Sequence, residues 1–160
     1  MYMHNINCIK QQQITDQIGN RLVGDDFYFI SRSTFPGSGK YGGHWSGDNL
    51  ANAEFLTFSI SSLLNFNLFG VPFCGSDVCG FFGDYNENLC SKWIQSNTLF
   101  PFFRNHNHIE SKDQEFYKIG ANIEKSMYNA MNLRYSLLKY VYNLFVQSNG
   151  QGLIYYPPAF

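Results

Sequence analysis

Three polar residues recur along this chain at one interval. Asp77 lies 29 residues after Asp48, and His106 lies 29 residues after Asp77. Each comes directly after a short apolar run: GGHW before Asp48, VPFC before Asp77, LFPFF before His106. Each gap holds one stretch with helical spacing of apolar residues. The first is Leu50–Phe69, with Phe55, Leu56, Ile60, Leu63, Leu64 and Leu68. The second is Asn86–Ser96, with Leu89, Trp93 and Ile94. A (β/α)8 barrel uses about 31 residues per strand–helix unit and builds its active site at the C-terminal ends of its strands. The spacing therefore predicts an α/β chain of parallel βα units, with Asp48, Asp77 and His106 at equivalent points of one rim. Strands are expected near residues 27–32, 43–47, 71–76 and 99–104. That is four where a closed barrel has eight, so the chain reads as a partial (β/α)8 TIM barrel with two open parallel edges.

The remaining elements follow from local pattern. Gln11–Ile18 predicts a short polar helix. Phe27–Ile30, four consecutive large apolar residues between polar flanks, predicts a fully buried strand. Pro36-Gly37-Ser38-Gly39 is turn chemistry, and His44–Trp45 is a very short strand. Asp48 or Asn49 stands where a helix N-cap belongs, and Gly70 ends that helix. Val71–Cys74 is the next strand and Leu99–Phe103 the one after. Asn122–Val146 is a long helix with Met127, Met131, Leu133, Leu137, Leu138, Val141 and Phe145 as its apolar positions, stopped by Gly150 and Gly152. Ile154–Phe160 starts a new extended segment.

Ile30–Asn49 is the chemically richest stretch. A strand ends in Arg32, a glycine-rich loop follows, and an acid stands beside Trp45. Pyranose rings have apolar faces that stack on aromatics and hydroxyls that need directional partners, so this combination suits a sugar site. Composition excludes other classes. The net charge is −1, which argues against a nucleic-acid surface. Aromatics make up 18% and charged residues only 14%, leaving rings over for ligand stacking once a core is filled. No apolar run reaches the ~18–20 residues of a membrane span. The N-terminal MYMHNINCIKQQQ has no apolar signal-peptide region, and no Asn-x-Ser/Thr acceptor occurs, so the compartment stays open. The four cysteines, Cys8, Cys74, Cys79 and Cys90, fit no zinc spacing. Buried reduced thiols are one reading of them.

These words resemble glycoside hydrolase family 31, the family of lysosomal and intestinal α-glucosidases. The resemblance runs through ISRSTFPGSGKYGGHWSGDN (Ile30–Asn49), FNLFGVPFCGSDVCGFF (Phe66–Phe82), PFFRNHN (Pro101–Asn107) and, more weakly, LRYSLLKYVYNLF (Leu133–Phe145). It covers about Gly24 to Gly152. It implies that residues 23–148 form the C-terminal half of the catalytic barrel, about the last four βα units. Residues 1–22 are then an unassigned N-terminal extension, and 149–160 are the truncated start of the following β-sandwich domain. It implies retaining hydrolysis of terminal α-linked glucose with no metal or other cofactor. It also implies a disulfide between Cys79 and Cys90, worth about 2–3 kcal/mol for so short a loop. Family members are lysosomal, secreted or cell-surface.

Residue by residue, the resemblance implies that Asp48 is the general acid/base, which protonates the leaving oxygen and then deprotonates water. A helix cap is the competing reading. Arg32 binds sugar hydroxyls or holds a carboxylate; otherwise it is a strand-end ion pair. Trp45 and Phe81 are apolar walls, or else core. Asp77 accepts from Arg32 or supports the pocket floor. His106 binds a hydroxyl with Arg104 behind it, and His44 stands one layer back. In this family the nucleophile lies in a Trp-x-Asp-Met-Asn-Glu word on the fourth strand, and this sequence has no such word. Lys139 and Tyr156 also depart from the family's usual proline and arginine. Two functions follow as expectations: a fragment of an α-glucosidase with the acid/base but without the nucleophile, or a non-catalytic remnant that binds sugar or pairs with another half barrel. The expected partners are an α-glucoside oligosaccharide and the missing N-terminal half barrel, from the same gene or another chain. Neither nucleic acid nor a membrane span is expected.

Overall fold

The computed structural model describes residues 3–148. After a short 3-10 turn at His4–Ile6 the elements run α1 (Asn7–Val23), β1 (Ile30–Ser31), β2 (Gly43–Trp45), α2 (Ala53–Leu68), β3 (Cys74–Gly75), β4 (Asp77–Val78), α3 (Glu87–Asn97), β5 (Arg104–Asn105), α4 (Phe116–Ile119) and α5 (Ala121–Ser148). A second 3-10 turn, Ser38–Lys40, lies in the glycine-rich loop. The extended segment and β-domain start expected over 149–160 lie outside the described residues, as do the helix stops at Gly150 and Gly152.

Among the described residues the strands pair in parallel. β1 pairs with β2, and β2 with β3, aligning Ser31 with His44 and Trp45 with Gly75. β4 pairs with β5, aligning Asp77 with Arg104. β3 and β4 are separated only by Ser76, so Cys74–Val78 is one extended segment. Its first half pairs toward β2 and its second toward β5. Sequence order and spatial order thus coincide, with α2 and α3 as the crossovers, as the 29-residue interval predicts.

Side chains on these strands alternate between two faces. His44 stacks on Phe66 of α2 at 3.8 Å between ring centres. Its neighbour Trp45 points the other way, toward Asp77. Val78 lies in the core with Trp93 and Ile94, both fully buried on α3, and with Ile123 and Ala130 on α5. Its neighbour Asp77 faces the opposite side. One face of the sheet is therefore a helix-packed core, and the other carries the polar residues. The disulfide between Cys79 and Cys90 is present and ties the end of β4 to α3. Cys8 and Cys74 are buried outside it.

Several elements depart from the expectations. The strand predicted at Phe27–Ile30 begins only at Ile30, and it is not fully buried: Tyr28 is 54% exposed. β1 has a partner on one side only among the described residues. Leu99–Phe103 is not a strand. The Arg134 guanidinium takes the carbonyls of Thr98, Phe100 and Pro101, groups a ladder would have used, and pairing starts at Arg104. The polar helix predicted at Gln11–Ile18 extends over Asn7–Val23, and Gln12 donates from it to the Ser33 carbonyl. Leu64 and Leu68 of α2 and Leu133 and Leu138 of α5 are exposed, not packed.

The α2 cap also differs. Neither Asp48 nor Asn49 caps the helix; Asn52 does, its Oδ1 accepting from the Phe55 N–H at 2.9 Å. The chain needs three residues after Asn49 to turn from the strand direction into the helix. Asp48 is thereby left free for another partner. Gly70, at φ +77°, ends the helix as expected. Replacing Asn52 by Ala is expected to cost about 1 kcal/mol in urea unfolding, whereas Asp48→Ala leaves the helix end intact and shifts the midpoint by less than half of that.

Candidate active site

The polar face is organised around one buried carboxylate. Asp77 is 0% exposed. Its Oδ1 accepts from Arg104 Nη2 at 2.6 Å, from Arg104 Nε at 3.0 Å and from Trp45 Nε1 at 3.1 Å. The Arg104 guanidinium also lies 4.8 Å from the Trp45 ring centre, within cation–π range. The three residues come from β5, β4 and β2, and parallel pairing brings them to the same height. Asn49 adds a fourth tie, donating to the Asp77 carbonyl at 2.9 Å.

Asp48 lies beside this cluster, and its partner is Arg32, with Nη1 to Oδ2 at 2.9 Å. Of the two roles expected of Asp77, the hydrogen bond from Arg32 does not form: Arg32 pairs with Asp48, Arg104 and Trp45 occupy Asp77 Oδ1, and Oδ2 is buried without a partner. Gly47 makes the Arg32–Asp48 approach possible. It has φ +76°, and a Cβ there would come within 2.5 Å of Arg32 Nε. The Arg32 side chain is 55% exposed and that of Asp48 33%. Such a wet ion pair contributes only about 0–1 kcal/mol, so a ligand can replace Arg32 as the partner of Asp48 at little cost. Arg32 also lies 5.8 Å from the Trp45 ring centre, which links the two ion pairs through one indole.

The aromatic wall follows. Phe81 packs against His106, with ring centres 5.0 Å apart, and edge-on to Phe82 at 4.7 Å. The backbone N–H of Phe81 donates to the Asn49 carbonyl at 2.7 Å. The wall is thus tied to the residue next to Asp48. All seven residues singled out for chemistry in the sequence, Arg32, Trp45, Asp48, Asp77, Phe81, Arg104 and His106, belong to one connected rim. His44 stays behind the sheet, as expected, with Nδ1 3.3 Å from Thr34 Oγ1.

A cavity of about 230 Å³ opens beside Asp48, lined by Arg32, Asp48, Asn49, Ser46, Ser76 and the α2 residues Phe55, Phe58, Ser59 and Ser62. Phe55 is expected from its spacing only to pack its helix and Phe58 carries no expectation, yet the two form its apolar wall. Asn49 stands in the sequence as a candidate helix cap and as the last letter of the GDN word; in the structure it ties Asp77 and Phe81 instead. Among the described residues no group of three His, Cys, Asp or Glu side chains could hold a metal ion. No described helix is long and apolar enough to cross a membrane.

A parallel βα scaffold with acids, arginines and aromatic rings at one rim defines a class of barrel enzymes. Comparison with known proteins narrows it. A family profile described as "Glycosyl hydrolases family 31 TIM-barrel domain" matches residues 1–144. The lysosomal α-glucosidase of Bos taurus is 45% identical over 158 residues, 99% of this chain and 17% of that protein. The mouse (Mus musculus) lysosomal α-glucosidase is 41% identical over 150 residues, 94% of this chain and 16% of that protein. A crystal structure of glucosidase II α subunit superposes with a TM-score of 0.87 at 35% identity, covering 94% of this chain and 16% of that one. The chain belongs to glycoside hydrolase family 31. It spans about a sixth of the length of these relatives.

Two consequences concern stability. Asp77→Asn replaces a buried anionic acceptor of three hydrogen bonds by an amide, while the one-third-exposed Arg104 keeps access to water, so it is expected to destabilise by about 1.5–3 kcal/mol. Asp48→Asn, in a wet pair, is expected to cost under about 1 kcal/mol; equal midpoints in urea would contradict the distinction. Burial holds the His44 imidazole down, from its ordinary 6.5 to about 4. The folded state then disfavours the imidazolium, so stability is full above pH 6.5 and falls as pH drops from 6.5 toward 4. His44→Phe is expected to flatten that part of the thermal-unfolding profile against pH.

Proposed function

We propose that this chain supplies the acid/base half of an α-glucosidase site. In this reading residues 23–148 are the C-terminal half of a family 31 barrel. Asp48 is the general acid/base, Arg32, Trp45, Phe81, Arg104 and His106 hold a terminal α-linked glucose, and Asp77 supports them from the pocket floor. The observation that carries it is the contrast between the two aspartates. Asp48 stands at the rim in a replaceable ion pair, as a group must that passes a proton to a leaving oxygen and takes one from water. Asp77 is sealed in and saturated on Oδ1 by three donors, which makes it a support and not an attacking group.

Retaining hydrolysis needs a second carboxylate about 5–5.5 Å from the first. The sequence carries no counterpart of the family's nucleophile word, so the nucleophile belongs to a complementary N-terminal half barrel, whose strands would also cover the open edges of β1 and β5. Residues 149–160 would lead into the following β-domain. Arg32 holds Asp48 until the sugar arrives and then turns its donors to the hydroxyls. Phe81 and His106 offer one stacking face and one polar contact. Substrate chemistry is supported by the relatives: the glucosidase II α subunit is described in complexes with Glc1Man2 and with α3-Glc2. That protein also occurs with the binding domain of a regulatory subunit.

The second reading is a chain that binds sugar, or pairs with another half barrel, without catalysis. It draws on the same shortage of a reactive second carboxylate. The expected result for the chain alone is no turnover of 4-nitrophenyl α-glucoside. Activity is expected on co-expression with an N-terminal half barrel from a relative, and Asp48→Asn should abolish it. Turnover by the chain alone, lost on Asp48→Asn, would show that it holds its own nucleophile. Calorimetry with maltose separates the second reading: binding weakened about tenfold by Arg32→Ala, without hydrolysis in either form, favours it.

A further inference from the structure

The loop from β5 to α4 is polar and mostly exposed, except at one residue. Gln114 is 3% exposed, between exposed Asp113 and Glu115. A buried carboxamide is costly unless its hydrogen bonds are made; here the amide nitrogen makes its bonds to two different strand ends, while Oε1 is buried without a partner. Its Nε2 donates to the Val78 carbonyl at 2.8 Å, to Asn105 Oδ1 at 2.9 Å and, more weakly, to the Gly80 carbonyl at 3.4 Å. Asn105 returns a bond from its Nδ2 to the Gln114 carbonyl at 2.6 Å.

The position of these partners matters. The β4–β5 ladder ends at the pair Val78–Asn105. Past it the two strands part, and Cys79 and Gly80 turn at φ +70° and +93°. The Gln114 side chain sits where the next rung of the ladder would be. The residues it grips directly precede the aromatic wall: Gly80 leads into Phe81, and Asn105 into His106. From the loop side, the His108 N–H donates to the Phe81 carbonyl at 3.0 Å.

We propose that Gln114 is a positioning residue for the sugar wall: its single carboxamide sets the separation of Phe81 and His106 after their strands stop pairing. The proposal rests on the reading of Phe81 and His106 as sugar contacts, while its geometric content stands apart from it. Gln114 touches no substrate atom and acts through Gly80 and Asn105. A glutamate at 114 would set a carboxylate against two carbonyls, so the need is for an uncharged donor of that length.

The test uses the whole chain and Gln114→Met, which keeps the length and removes both donors. Two readouts are taken: the nuclear Overhauser contact between the His106 and Phe81 rings, and calorimetric titration with maltose. In Gln114→Met the ring contact is expected to vanish and the His106 signals to move to those of a free loop histidine. The Trp93 indole signal of the core stays in place, and maltose affinity falls about tenfold. A variant that keeps the ring contact overturns the proposal even if its melting temperature has dropped, because Gln114 is then only a packing residue. Loss of the contact with no maltose binding by the parent chain supports the clamp and overturns the sugar-site reading instead. Should Gln114→Met fail to fold, Asn105→Ala cuts the reciprocal bond from the other strand and is read by the same two measurements.

Discussion

The Asp77 carboxylate is the interaction on which this rim depends. It is wholly buried, and a buried charge is tolerated only when paired and hydrogen-bonded. Arg104 and Trp45 meet that need at Oδ1 from the strands on either side, and Oδ2 is buried without a partner. Because the partners come from β2 and β5, the electrostatic requirement of one side chain aligns three strands at their C-terminal ends. The same pairing puts the Arg104 guanidinium over the indole and fixes the ring. Asp48 and Arg32 are then set against that ring, with Arg32 5.8 Å from its centre.

The helix face supplies the rigidity that the polar face lacks. Trp93 and Ile94 of α3 fill the space behind Val78, and Ile123 and Ala130 of α5 close it. Arg134 reaches from α5 to three carbonyls ahead of β5, and the Cys79–Cys90 bridge holds the turn after β4. Each of these acts on the backbone just before or after a site residue. Division of labour follows: apolar burial holds the strands, one ion pair on a buried carboxylate sets their relative height, and a weak, wet pair at the tip stays available for exchange.

Much of this was readable beforehand. The 29-residue interval carried the parallel order, and the GHW, GSD and RNH words located the rim residues. The resemblance to family 31, borne out by the family match, carried the Cys79–Cys90 pairing as well. The errors have physical causes. Phe27–Phe29 and Leu99–Phe103 have strand-like composition, but a strand exists only where a neighbour offers a ladder. Asp48 had a cap-like position, yet its charge found Arg32, and Asn52 took the cap. Gln114 left no trace in any pattern, since a single glutamine in a polar loop looks like every other.

Sequence alone determined the repeat of short strand and helix, the apolar face of α3, and which polar residues stand at strand ends, because these depend on spacing along one chain. Tertiary structure decided the partners: Asp77 with Arg104 and not Arg32, Asp48 with Arg32 and not a helix end, Gln114 with two strand tips. Hydrogen bonds between residues 9 to 36 positions apart depend on the register of parallel strands and on which carbonyls a neighbouring side chain has already taken. No local pattern encodes either.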